Sequence, residues 1–306
     1  MSEQKLQSQT VQTTGHAWDG DLQEYNNPLP VWWVYTFYVT VIFALVYWTI
    51  YPSWPFGKGW IGGLSNITYV NSEGETKTHS WNTRALLLKD LNKAEIAQKP
   101  YFDKVAAMSY AQIAKDPDMN AFILSAGKAL FSDNCAPCHQ AGGQGVMGFF
   151  PNLTDDDWLY SGAFDRIHES ITNGRHGYMP AFGEVLTSGQ IDALANYVAS
   201  LSGIGHDAAK AAAGDILFHG ETAACYYCHG VEAKGRTDMG SANLTDNIWL
   251  WANVPAADSA EGKVAAIRNV ITGGLNKGVM PAWGGRLSPE QIKVLTVYVH
   301  ELGGGQ

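Results

Sequence analysis

Charge is scarce in this sequence. Asp, Glu, Lys and Arg make up 16% of the 306 residues, against about 25% in an average soluble protein. Bases are the scarcer sign, 20 Lys plus Arg against 29 Asp plus Glu. The resulting net charge of −9 argues against a nucleic-acid partner, whose phosphates need a basic face. Cysteine is scarcer still, four residues in two short clusters, so this is no disulfide scaffold. Nor does the composition fit a collagen, coiled-coil or low-complexity chain. What is plentiful is apolar: 46% hydrophobic and 12% aromatic residues, with 11 Trp. That is enough to bury a core, which argues against intrinsic disorder.

Charge is absent altogether from Val31 to Tyr51 (VWWVYTFYVTVIFALVYWTIY). At 1.5 Å per residue these positions span about 31 Å as a helix, the thickness of a bilayer's hydrocarbon core. Trp32, Trp33 and Tyr35 stand at one end and Trp48, Tyr51 and Trp54 at the other, as an aromatic belt requires. A signal peptide has a basic leader and a shorter apolar run; here the leader carries one Lys (Lys5) against four acids. A single membrane anchor is expected. The basic residues Lys5, Lys58 and Lys77 say little about orientation and weakly favour an outside N-terminus.

Beyond the anchor, residues 57–80 read as a connecting loop with one short strand around Ile67–Val70. Apolar positions from Asn82 to Lys99 recur at helical spacing, with Pro100 as the stop. A second helix is predicted over Tyr101–Ala107, and Ser109 with Gln112 forms a capping box for a third. The rest repeats. Each unit carries Gly-x-x-x-Phe (Gly127, Phe131; Gly214, Phe218), then Cys-x-x-Cys-His, then Asn-Leu-Thr-Asp near a Trp. Ile-Thr-x-Gly, Met-Pro-Ala-aromatic-Gly and a closing helix with Tyr-Val follow (Tyr197, Tyr298). The second unit is longer by an insertion around Trp251–Gly262, read as a surface loop. The chain thus divides into a leader (1–30), an anchor (31–56), a helical spacer (57–119) and two domains (120–204 and 205–306). The expected class is all-α.

The chemistry lies in Cys135-Ala-Pro-Cys138-His139 and Cys225-Tyr-Tyr-Cys228-His229. A dithiol centre, a zinc site of four thiolates and covalent c-type haem attachment all use Cys-x-x-Cys. Only the last needs the following His. With 9 His in 306 residues, chance fills a given position about 3% of the time, and here both are filled. Each repeat also carries a Met-Pro downstream, at Met179 and Met280, and a thioether on the opposite face completes six-coordinate His/Met iron. The expected set is therefore two haem c groups: Cys135, Cys138, Cys225 and Cys228 in thioether bonds, His139, Met179, His229 and Met280 on iron. Met147 and Met239 read as lining. His176, three residues before Met179, is the alternative ligand; His16, His79, His168, His206, His219 and His300 read as surface or satisfied groups. An axial imidazole needs its second N–H held, typically by a Pro carbonyl opening a Pro-x-Leu turn in c-type cytochromes. Pro151-Asn152-Leu153 fits; the second repeat has Ala242-Asn243-Leu244.

One anchor followed by two such domains resembles the membrane-anchored dihaem cytochrome c subunit (subunit III) of cbb3-type cytochrome c oxidases. The more specific match lies in the leader: Gly15-His16-Ala17-Trp18-Asp19-Gly20, Glu24, Asn27-Pro28-Leu29-Pro30 and Trp32-Trp33, with Ala106-Ala107-Met108-Ser109 in the spacer. A second, earlier transmembrane helix found in some members is not seen here. The resemblance implies electron entry from a soluble cytochrome c, passed to a monohaem cytochrome c subunit and onward to the haem–copper oxygen-reducing subunit. It also implies a bacterial inner membrane, a cytoplasmic N-terminus and periplasmic haem domains, because haem attachment occurs outside that membrane. The chain itself would make no bonds. The acidity fits a cationic donor: residues 120–204 hold eight acids against three bases, and residues 205–306 ten against eight. The rival readings are a cytochrome subunit of a periplasmic dehydrogenase, a dihaem peroxidase, and an anchor whose zinc staples the repeats.

Overall fold

The structure is a computed structural model and describes residues 12–303; Lys5 and the start of the leader lie outside the described residues. The chain forms two compact units, Met1–Gln98 and Lys99–Gln306.

In the first unit, β1 (Thr13–Trp18) pairs antiparallel with β2 (Leu22–Tyr25). The turn holds Asp19 at φ 50° and Gly20 at φ 90°, left-handed conformations that Asp-Gly adopts readily. Pro30 leads into α1 (Val31–Ile50), none of whose residues is buried. A soluble helix hides one face; α1 is apolar on every side and is long enough to cross a bilayer. The chain leaves it in extended conformation at Tyr51, as the residue before a proline prefers. The backbone N–H groups of Leu64 and Ser65 then donate to the carbonyls of Thr49 and Ile50, at 3.2 and 2.8 Å, closing the last turn. Between them lies the short ribbon of β3 (Pro55–Phe56) and β4 (Gly59–Trp60). The strand expected near Ile67 is β5 (Asn66–Val70), and its partner is β6 (Thr76–Ser80).

The helix stop expected at Pro100 does not occur. α2 runs unbroken from Thr83 to Ala107 with Pro100 inside it. The proline removes one backbone bond at a cost of about 3 kcal/mol, but the turns after it bury Val105 and pack Phe102 into a core. Packing outweighs the local penalty. The Ser109–Gln112 capping box is present and starts α3 (Tyr110–Lys115).

The second unit continues with α4 (Pro117–Asn134), α5 (Ala136–His139), α6 (Phe164–Asn173), β7 (Arg175–Met179) and α7 (Ser188–Leu201). The second repeat supplies α8 (Ala208–His219), α9 (Tyr226–His229), α10 (Ala260–Gly273), β8 (Leu275–Met280) and α11 (Pro289–His300). The architecture is helical, with short two-stranded ribbons. The repeats are not the units of packing. One core combines Ile123 and Phe131 of α4 and Ile167 and Ile171 of α6 with Leu295 and Tyr298 of α11. The other combines Leu194 and Val198 of α7 with Phe218 of α8 and Ile267 and Ile271 of α10. Each core takes its closing helix from the other repeat. The exchange begins where β7 and β8 pair antiparallel, with Arg175 opposite Met280 and Met179 opposite Leu275.

The Gly-x-x-x-Phe motifs show why this contact is close. A Cβ on Gly127 would stand 2.6 Å from the Cβ of Tyr298, and one on Gly214 would collide with the Ala193 carbonyl and Tyr197. Only glycine lets these helices meet. The insertion around Trp251–Gly262 is more than surface, since Val254 is buried in the second core.

Candidate functional site

Both Cys-x-x-Cys-His motifs fold the same way. The first Cys ends its approach, a single helical turn follows, and the His closes it: the His139 and His229 N–H groups donate to the Cys135 and Cys225 carbonyls, each at 2.9 Å. The His139 ring donates from Nδ1 to the Pro151 carbonyl at 3.0 Å. The His229 ring donates to the Ala242 carbonyl at 2.9 Å, so the missing proline ring leaves the acceptor in place. Burial lowers the pKa of both imidazoles, opposed by these bonds. Each is therefore a neutral ring with its tautomer fixed and its Nε2 lone pair available, the form a metal ligand needs.

Among the described residues the four thiols are unpaired. Burial, with the neighbouring cysteine, pushes Cys135 up to about 11; burial does the same to Cys225.

A cavity of about 660 Å³ is lined by both cysteine pairs, both histidines and both Met-Pro methionines. Its size falls in the range of small-molecule and cofactor sites. Met280 packs on the core that contains Cys135, and Met179 on the core that contains Cys225. Sequence order places Met179 after the first motif; in the fold it packs on the same core as Cys225 of the second. The loops after each Met are anchored across the repeats too. Phe182 and Gly183 donate to the Ile271 and Thr272 carbonyls, and Trp283 and Gly284 to those of Ile171 and Thr172, all at 3.0 Å. In β7 the period of two puts Met179 and His176 on opposite faces, and His176 is exposed and bonded to Asn276 at 2.9 Å. His176 is not brought to the cavity. Met147 lines it as expected, whereas Met239, expected to line it too, is exposed and does not.

Several wall residues had no signal at the sequence level. The matched Asn-Leu-Thr-Asp loops converge, so that burial and the charges of Asp246 and Asp155 push Asp157 up to about 6. Tyr160 packs on Gly240 of the other repeat and under the Arg175 guanidinium, 4.3 Å from its ring centre. Trp251 of the insertion lies against Gly278 and lines the cavity. The Nη2 of Arg175, which also lines it, is buried without a hydrogen-bond partner among the described residues. Free imidazole nitrogens, thioether sulfurs, thiols two by two and a guanidinium nitrogen without an acceptor together fit a haem c with its carboxylates.

Residues 10–58 match the N-terminal domain of cytochrome oxidase-cbb3, FixP. Residues 123–198 and 209–299 match cytochrome c oxidase, cbb3-type, subunit III. The chain is 43% identical to the cbb3-type cytochrome c oxidase subunit FixP of Azorhizobium caulinodans, over 96% of this chain and 94% of the relative. It is 42% identical to FixP of Bradyrhizobium diazoefficiens (96% and 95%) and 38% to subunit CcoP of Cereibacter sphaeroides (96% and 95%).

Proposed function

The chain belongs to the cbb3-type cytochrome c oxidase subunit III family, and on that premise we propose that it carries two covalent haem c groups and passes electrons from a soluble cytochrome c toward the oxidase's oxygen-reducing centre. Family membership makes it an electron-transfer subunit with cytochrome c domains, held at the membrane by α1. The proposal adds the residues. Cys135 and Cys138 would form the thioethers of the first haem, and His139 and Met280 would ligate its iron. Cys225 and Cys228 would form those of the second, and His229 and Met179 would ligate its iron. The observation that carries it is the single cavity in which both motifs meet both methionines, their histidines oriented by carbonyls.

Haem c, when bound, supplies a reversible one-electron couple at iron. The chain's residues do the rest. Pro151 and Ala242 orient the imidazoles, and the apolar walls keep water from the site, which favours the reduced state. With the methionines as ligands, the iron would be six-coordinate and would offer no open position to peroxide or oxygen. The haem domains lie in the periplasm and the N-terminus in the cytoplasm, since haem attachment occurs outside the inner membrane. The acidic excess of residues 120–204, eight acids against three bases, steers a cationic donor.

Purification in mild detergent tests the reading. A pyridine haemochrome assay should give two c-type haems per chain, with a haem–copper subunit and a monohaem cytochrome c co-purifying. The reduced isolated chain should not bind carbon monoxide, and donor turnover should fall steeply with ionic strength. A dehydrogenase in place of the haem–copper chain, or a carbon monoxide complex, contradicts it.

A further inference from the structure

Arg175 is the one cavity-lining residue among the described residues with a fully buried side-chain nitrogen that has no hydrogen-bond partner. It opens β7 and sits directly opposite Met280. Its Nε donates to Ser170 Oγ at 2.9 Å and its Nη1 to Glu169 Oε1 at 3.0 Å. Its plane covers the Tyr160 ring. Three contacts therefore fix the guanidinium, yet Nη2 has no acceptor. A buried donor left unmatched is costly, and in native proteins it points to a partner outside the chain. Glu169 is shared between Arg175 and Arg166, so it does not neutralise Arg175 alone, and an anion is the partner that a guanidinium nitrogen matches best.

We propose that Arg175 anchors a carboxylate of the group this cavity holds, through Nη2, and that its positive charge raises that group's reduction potential. The inference rests on the haem reading above: the anion is then a haem propionate, and Arg175 is a positioning residue rather than an iron ligand. A cation near iron favours the reduced form, which carries one positive charge less. Glu169 acts in the opposite sense, because it partly neutralises that cation.

The test is a spectroelectrochemical titration of the purified full chain, following each c-type haem separately. Arg175→Gln should lower at least one potential by up to a tenfold change in the redox equilibrium, about 59 mV for one electron, while Arg175→Lys retains most of the wild-type value. Glu169→Gln should raise it. The opposite signs matter, since mere loosening would admit water and lower the potential in both variants. Unmoved potentials in Arg175→Gln, or a fall in Glu169→Gln, would overturn the inference. If Arg175→Gln loses haem, Glu169→Gln decides alone, and anything other than a rise counts against it. A wild-type chain without c-type haem would instead defeat the underlying reading.

Discussion

The His139 and His229 sites share a plan and differ in their walls. Each histidine is tethered by a carbonyl twelve or thirteen residues on, but the first carbonyl belongs to Pro151 and the second to Ala242. Asp155 and Asp157 crowd the first wall, whereas the second has the inserted segment with Trp251 and buried Val254. What they have in common is also instructive. Cys135 and Met280 pack against one core and Cys225 and Met179 against the other, so each core joins a cysteine motif from one repeat with a methionine from the other.

The largest effect should come at the glycines where the exchanged helices meet. Gly214→Ala drives a methyl into the Ala193 backbone, which cannot give way, while Gly127→Ala meets the side chain of Tyr298. Overpacking typically costs about 1–3 kcal/mol. Gly214→Ala should lie at or above the top of that range and Gly127→Ala within it, by denaturant unfolding followed through Trp fluorescence. Equal and negligible costs would mean that the two helix pairs do not close as described.

The acidic wall should give a smaller, pH-dependent effect. An unfolded Asp titrates near 3.9, whereas burial and the charges of Asp246 and Asp155 push Asp157 up to about 6. Between about pH 4 and 6 the folded chain keeps a proton that the unfolded chain has lost, so stability falls as pH rises through that window and levels off above it. Asp157→Asn should flatten this slope and stabilise the chain at pH 7. Asp246→Asn, in the other repeat, should shift the slope toward lower pH. A slope indifferent to Asp246 would separate the two loops.

The smallest effect tests the Pro151/Ala242 difference itself. Pro151→Ala should cost about 0.4–1 kcal/mol through greater freedom of the unfolded chain, with the His139 tether intact because the carbonyl remains. The imidazole resonances should therefore keep their tautomer. A switched tautomer would show that the proline ring, not its carbonyl, sets the ring orientation.

Much of this was legible in the sequence. The uninterrupted apolar run predicted α1, the capping box at Ser109 predicted α3, and the Pro-x-Leu turn predicted the tether on His139. Each rests on chemistry within one short stretch of chain. The exchange was not legible for a physical reason: the repeats carry the same motifs, so Phe131 can pack against Tyr197 or Tyr298 with the same side-chain chemistry. Spacing cannot tell a contact within a repeat from one between repeats. The β7–β8 ribbon was missed because Arg175–Met179 and Leu275–Met280 are short and glycine-bearing, and stand as strands only in each other's presence. Continuity of α2 through Pro100 was missed because the packing of Val105 that outweighs the proline is tertiary.

Which methionine serves which motif tests the account most directly. In a Cys225→Ser/Cys228→Ser chain only the haem on Cys135 and Cys138 remains, and the Fe–Met charge-transfer band of the oxidised protein reports its sixth ligand. Adding Met280→Ala should abolish that band and lower the potential, while adding Met179→Ala should leave both in place. Loss of the band with Met179→Ala, and its survival with Met280→Ala, would contradict the exchange.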